Sequence, residues 1–262
     1  MPLVEVQSVS KNYPRREGFR QQDHFAVRDV SFTIERGETV GLVGESGSGK
    51  STVARMILGL VEPTSGAIRV AGVEVGGSRT QALRRQMQPV FQDPSAALNP
   101  RMRVFDIITE PLTIHRKEAA IDTRKPALRA AARELLISVG LDESALSRYP
   151  HEFSGGQRQR INIARALALK PQFVVLDEPV SALDVSVGAQ IINLLRTLQR
   201  DHGLTYLFIS HSMPLVRYLS TRIAVLERGR LVETGEAEEL CAHPREAYTQ
   251  QLLAATPELP GS

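Results

Sequence analysis

Gly44-Glu45-Ser46-Gly47-Ser48-Gly49-Lys50-Ser51 matches G-x-x-x-x-G-K-[ST] without a mismatch, a run suited to holding a polyphosphate. Its glycines let the backbone turn tightly and aim N–H groups at phosphate oxygens. Lys50 supplies a point charge for the β- and γ-phosphates and Ser51 a hydroxyl for Mg²⁺. A helix beginning near Lys50 adds the partial positive charge of its N-terminus. Farther on, Asp177-Glu178 closes the apolar run at 173–176. A carboxylate pair at the end of a buried strand can hold Mg²⁺ through water (Asp177) and polarise an attacking water (Glu178); a solvated strand end is the plainer reading. His211 follows the apolar run 206–209 through Ser210, where it can support attack on a γ-phosphate or serve only structure. Gln92 is uncharged and flexible, suited to sensing Mg²⁺ and the water.

Ser154-Gly155-Gly156-Gln157, preceded by Phe153, forms a second glycine-rich run. With a helix from Arg158 onward it makes either a second anion site or a simple helix cap. Because the first loop already wraps a triphosphate, a second anion site would serve a nucleotide held by another subunit.

The elements that must position these groups are legible as periodicities. Residues 4–9 and 27–34 alternate apolar and polar side chains as half-buried strands do. Residues 39–43 form an apolar strand that feeds the phosphate loop. Val53, Met56, Ile57 and Leu60 recur at helical spacing, which predicts a helix from about Lys50 to the turn at 62–66, before a short strand at 67–70. Residues 95–170 are mostly helical in pattern, with Leu128, Ala131, Ala132, Leu135, Leu136 and Val139 on one helix face and Gly140 as its stop. Residues 173–176 and 206–209 are apolar on both faces, as buried parallel strands are. A helix at 187–198 lies between them, and a hairpin turns at Arg228-Gly229.

The chain of 262 residues is 42% hydrophobic, enough for a packed α/β core. Its net charge of +3, from 32 basic and 29 acidic side chains, comes with no basic helix or aromatic-interleaved patch, so no nucleic-acid partner is expected. The span from Arg79 to Arg129, with Arg84-Arg85, Arg101, Arg103 and Arg116-Lys117, is locally basic. It reads as a solvated face or as a surface near anionic lipid or a membrane partner. Cys241 is the only cysteine, which excludes an intrachain disulfide and favours a packed small residue over a nucleophile. Neither a secretion signal nor an apolar run of about eighteen residues is present, so an intracellular protein peripheral to any membrane is expected.

Together these residues resemble the ATP-binding subunit of an ABC transporter over nearly the whole chain. The resemblance implies a P-loop NTPase core (RecA-like) with an amino-terminal antiparallel β-subdomain and an inserted α-helical subdomain at about 95–170. It identifies Gly44 to Thr52 as Walker A, with Thr52 joining the ATP-binding set, Gln92 as the Q-loop, and Phe153 to Gln157 as the signature. Walker B ends at Asp177-Glu178, the D-loop is Ser181-Ala182-Leu183-Asp184, and His211 is the switch histidine. Tyr13 matches the aromatic that stacks on adenine; alone it is one aromatic near the amino terminus. Tyr149 to Arg160, Pro94 to Pro100 and the run from His243 to Leu253 resemble importers of dipeptides, oligopeptides, nickel and glutathione, with 235–262 as a carboxy-terminal tail of that type.

The implied partners are a second ATPase subunit, identical or homologous, two transmembrane permeases and, indirectly, an extracytoplasmic binding protein. The implied place is the cytoplasmic face of the membrane. Ser212 stands where many relatives have an acidic residue, and no iron–sulfur extension is expected. Peptide import is the first reading, nickel or glutathione import an alternative, and a soluble ABC ATPase acting on RNA or ribosomes a rival of a different class.

Overall fold

The computed structural model describes residues 1–17, 20–77, 83–117 and 120–255. Arg79 and the last seven residues of the expected tail lie outside them. The chain forms two units, one of residues 1–84 and 205–262 and the other of 85–204.

In the first unit, β1 (Val4–Asn12) pairs antiparallel with β4 (Phe25–Ile34) and β6 (Ser65–Val70), and β7 (Val73–Glu74) continues from β6. Between them β2 (Arg15–Glu17) and β3 (Arg20–Gln22) form a short hairpin. The expected alternation holds: Val4, Val6 and Val9 of β1 and Val27, Val30, Phe32 and Ile34 of β4 are buried. Register breaks between Val6 and Val9, where Ser8 takes φ +47° and gives its N–H to Ser31 Oγ. Such a bulge loses a ladder bond, and the side-chain hydroxyl replaces it.

The same unit carries β5 (Thr39–Val43), β10 (Thr205–Ile209), β11 (Arg222–Glu227) and β12 (Arg230–Glu236), ordered β12-β11-β5-β10. β5 and β10 are buried at every position, as strands covered on both faces must be. β5 runs parallel to β10 and β11, whereas β12 returns antiparallel through the Arg228-Gly229 turn, with φ +45° and +82°. Helix α7 (Met213–Leu219) lies close on β5 because Gly41 has no side chain. A Cβ there would come 2.3 Å from Val216 Cγ1 and 2.6 Å from Ser220 Oγ.

Helix α1 (Lys50–Ile57) starts where the glycine run predicts but stops earlier than the spacing implied. Gly59, at φ +65°, ends it in a Schellman motif, with Gly59 N–H on Met56 O at 3.0 Å and Leu60 N–H on Arg55 O at 2.9 Å. Leu60 therefore lies outside the helix and is exposed. The carboxy-terminal helices α8 (Ala237–Ala242) and α9 (Ala247–Ala254) complete this unit.

The second unit pairs β8 (Met87–Val90) with β9 (Phe173–Asp177), in parallel. Between them run the short α2 (Pro94–Ala97), then α3 (Val104–Ile114), α4 (Lys125–Ser138) and α5 (Gly155–Leu167), and α6 (Val185–His202) follows β9. Val104, Ile108, Ala132, Leu136, Ile161 and Ala164 are fully buried. Polar ties join the helices, among them Arg165 to Glu110 at 2.8 Å and Arg160 Nη1 to the Val139 carbonyl at the end of α4 at 2.7 Å. Gly140 stops α4 at φ +73°, as its sequence position predicted. Arg103 of the basic span is used in packing, donating to Ser147 O at 2.7 Å and lying over the Tyr149 ring. Cys241 is half-buried, and burial pushes its thiol pKa up, away from the reactive thiolate.

Candidate functional site

The phosphate-binding run leaves the carboxyl end of β5 and enters α1. Gly44, Gly47 and Gly49 have φ of +148°, +81° and +107°, values that disfavour any residue with a Cβ. Two of the three also lack room for one. A Cβ on Gly44 would lie 2.1 Å from the Leu226 carbonyl, and one on Gly49 2.4 Å from that of Ala26. The first bond of α1 runs from Val53 N–H to Gly49 O at 3.0 Å, so the first-turn N–H groups are not used by the helix's own ladder. Lys50 is buried, and its ammonium donates to Gly44 O at 2.7 Å and Glu45 O at 2.8 Å. Ser48 is 4% exposed, and its hydroxyl has no hydrogen-bond partner among the described residues. An orphaned buried hydroxyl is costly unless a ligand or water satisfies it, which suits a loop built around an anion. Glu45 N–H is taken by Tyr248 Oη of α9 at 2.9 Å.

His211 belongs to this same unit. β10 pairs with β5 so that Ile209 faces Leu42, which brings the ends of both strands to one edge of the sheet. The phosphate loop leaves from one strand end and Ser210-His211 from the next. Ser210 Oγ accepts the Ser212 N–H at 3.0 Å, fixing the turn that carries the exposed imidazole. Ser212 is the N-cap of α7, but its side chain makes no capping bond. Tyr13 follows β1 and is 40% exposed, with the Lys11 ammonium 5.2 Å from its ring centre.

The second unit repeats this edge logic. Val90 of β8 faces Leu176 of β9, so Gln92 and Asp177-Glu178 leave the same edge of two parallel strands. Glu178 takes φ +48°, rare for a residue with a long side chain and strained unless its surroundings enforce it. They do. Ser181 donates its N–H and its hydroxyl to Glu178 O at 3.3 Å and 3.1 Å, and the next carbonyl, Pro179 O, accepts from Gln159 Nε2 at 2.8 Å. Gln159 is fully buried. Its place in the sequence carried no role for it; a polar residue on the core-facing side of an amphipathic helix was the available signal.

The second glycine run differs from a loop with a helix from Arg158. The helix begins at Gly155, Ser154 is its N-cap, and Ser154 and Gln157 exchange the two bonds of a capping box. Ser154 Oγ accepts Gln157 N–H at 3.3 Å, and Gln157 Oε1 accepts Ser154 N–H at 3.1 Å. Neither Gly155 nor Gly156 has a positive φ; these glycines make room instead of turns. A Cβ on Gly156 would sit 2.3 Å from Val187 Cγ1 at the start of α6. Gly156→Ala is therefore expected to cost about 1–3 kcal/mol through overpacking. Adding Val187→Ala is expected to restore most of the loss, read by thermal melting. Asp184 caps α6, accepting Val187 N–H at 2.9 Å, and that bond with the Ser186 hydroxyl holds its carboxyl below the usual range. The fold thus places the second glycine run beside 181–184.

Among the described residues no group of three or more histidine, cysteine or acidic side chains forms a metal cage. Ser51 in the first unit and Gln92 and Asp177 in the second each carry a hard oxygen atom, the donor type that Mg²⁺ takes. No helix among the described residues is long and apolar enough to cross a membrane.

The ABC transporter family profile matches residues 27–181. The chain is 49% identical over 259 residues to the oligopeptide transport ATP-binding protein OppF of Bacillus subtilis, covering 97% of this chain and 82% of that protein. It is 48% identical to OppF of Streptococcus mutans, over 98% and 82% of the two chains. Among solved structures, it is similar to the ATP-binding cassette MJ0796, solved as a dimer in a post-hydrolysis state with ADP and phosphate. That match has a TM-score of 0.78 and 30% identity, and covers 89% of this chain and 98% of the other. It is also similar to cbiO1 of Clostridium perfringens, part of an ABC transporter complex, with TM-score 0.78, 25% identity and coverage of 92% and 91%. The fold is the RecA-like P-loop NTPase core with an amino-terminal β-subdomain and helical insertions.

Proposed function

The chain belongs to the ABC transporter family of ATP-binding proteins, and on that premise we propose that it hydrolyses ATP to power peptide import, working in a head-to-tail dimer. The observation that carries ATP chemistry is the residue 44–51 loop, with three positive-φ glycines and a buried Lys50 at a helix N-terminus. Peptide as cargo rests on likeness to oligopeptide and peptide import proteins.

In this reading the backbone N–H groups and hydroxyls of Ser46, Gly47, Ser48, Gly49, Ser51 and Thr52 bind the triphosphate, Lys50 meets its β- and γ-oxygens, and Tyr13 stacks on adenine. Mg²⁺ would be held by Ser51, Gln92 and Asp177, where it neutralises phosphate charge. Glu178 accepts a proton from the attacking water, and His211 orients the γ-phosphate. Ser154, Gly155, Gly156 and Gln157 serve the nucleotide of the partner subunit through their helix N-terminus. Helical residues around 95 to 150, within the insertion at 95–170, pass closure to two permeases, the tail covers 235–262, and the protein sits on the cytoplasmic face of the membrane.

Reconstitution tests cargo directly. The chain, its paired ATPase and two permeases in liposomes, with a binding protein, are expected to hydrolyse ATP faster when peptide is added. Stimulation by nickel or glutathione but not peptide overturns the peptide assignment, and capture of ribosomes in place of permeases overturns import.

A further inference from the structure

The Glu45 N–H held by Tyr248 Oη at 2.9 Å belongs to the Gly44–Glu45 peptide. The carbonyl of that same peptide, Gly44 O, accepts from Lys50 Nζ at 2.7 Å. One planar group is thus gripped at both ends: it gives its hydrogen to Tyr248 and takes one from the lysine expected to meet phosphate. Donating and accepting through one amide reinforce each other by polarisation. Gly44, with its φ of +148°, has the conformational freedom to let this peptide rotate if one grip is lost. Rotation would carry away one of the two oxygens that hold the ammonium.

Tyr248 is itself set in place by the sheet. The carboxylate of Glu233 on β12 accepts Arg245 N–H at 2.9 Å and Glu246 N–H at 3.2 Å, capping the chain as it enters α9. Partial burial works against ionisation of Glu233, yet the neighbouring Thr249 hydroxyl and then these two N–H groups hold its carboxyl below the usual range. Thr249, the next residue after Tyr248, is fully buried. The tyrosine hydroxyl therefore reaches the loop from an anchored helix, and burial raises its pKa, keeping the proton on.

We propose that Tyr248 is a positioning residue for ATP binding: its hydroxyl fixes the Gly44–Glu45 peptide, and through it Lys50, so that phosphate meets a loop already in order. This rests on reading residues 44–51 as the phosphate loop. Ordering the loop in advance lowers the cost of binding without touching the reacting atoms, so the effect falls on affinity and not on turnover.

The test compares the full chain with Tyr248→Phe, which keeps the ring, and Tyr248→Ala, which removes it. In nucleotide-free Tyr248→Phe the Glu45 amide is expected to exchange hydrogen at least about tenfold faster. Its Kd for ADP and for a non-hydrolysable ATP analogue, both with Mg²⁺, is expected to rise about two- to tenfold, the range of one neutral hydrogen bond. Its kcat at saturating ATP is expected to stay within about twofold of the parent, while Tyr248→Ala also lowers Tm. Unchanged Glu45 exchange in Tyr248→Phe overturns the proposal, as does unchanged affinity with a parent that binds nucleotide. Failure of the parent itself to bind overturns the phosphate-loop reading instead, and the Tyr248 role with it.

Discussion

Glu178→Gln is expected to bind ATP at close to the parental affinity while hydrolysing it about 10²–10⁴-fold more slowly, the usual worth of a general base. Three features of the site make this substitution a clean probe. Gln has nearly the shape of Glu, so the φ of +48° at residue 178 is no harder to hold. The groups that enforce that backbone, Ser181 on Glu178 O and Gln159 on Pro179 O, act on carbonyls that the substitution leaves alone. What is lost is the negative charge that draws a proton from water. Folding, read by Tm, should not move. With turnover blocked and ATP still bound, two subunits should remain closed around two nucleotides, seen as an ATP-dependent dimer in size-exclusion chromatography. Near-parental phosphate release sinks the role of Glu178. A dimer that forms equally without ATP would sink the closure half of the reading.

The backbone at Glu178 also bears on how signals cross the second unit. Gln159 lies on α5, whose N-terminus is the second glycine run, and its amide holds the residue directly after Glu178. On the proposed reading, a partner's nucleotide at Ser154 to Gln157 would meet the start of α5, the helix whose Gln159 holds the turn that carries the carboxylate. Both contacts lie within the first two turns of α5, so a shift of its start would have only a short helical segment to cross.

Much of this was legible in the sequence, for identifiable reasons. The strands β5, β9 and β10 were readable because burial on both faces leaves them almost wholly apolar, and within each unit the loops after parallel strands carry the chemistry because those strands present their carboxyl ends together. The start of α1 was readable from the glycine run. Its end was not, because a Schellman stop depends on the φ of one glycine, Gly59, and apolar spacing continued past it to Leu60. At the second glycine run the helix cap was one of two open readings, but the start of α5 at Gly155 instead of Arg158 was not readable. Glycine serves both as a turn residue and as an absence of side chain, and only the position of Val187 against Gly156 reveals the second use. Tyr248 and Gln159 were invisible for a third reason: each makes its contact with a residue remote in sequence, to a backbone group that any residue type would offer.

Lys50→Ala is expected to produce the largest loss of binding. Charge-assisted hydrogen bonds contribute roughly 1.5–3 kcal/mol each, so losing two to phosphate oxygens weakens ATP about 10²–10⁴-fold. Partial rescue by arginine is not expected. Lys50 is only 6% exposed and its ammonium fits between Gly44 O and Glu45 O, a space for a compact point charge and not for a planar fork. Those two carbonyls also give the substitution a cost in the absence of nucleotide. They hold the ammonium where phosphate is to arrive, so the cation is in position before binding and its desolvation is already offset by the loop. Removing it leaves two carbonyls without that donor and the loop without its central tie. A modest fall in Tm should therefore accompany the loss of affinity. Isothermal titration with Mg²⁺ and a non-hydrolysable ATP analogue reads the affinity, and thermal melting without nucleotide reads the loop. An affinity within tenfold of the parent would remove Lys50 from the phosphate site. A large affinity loss with an unchanged melt would leave it there but deny that the empty loop depends on the lysine.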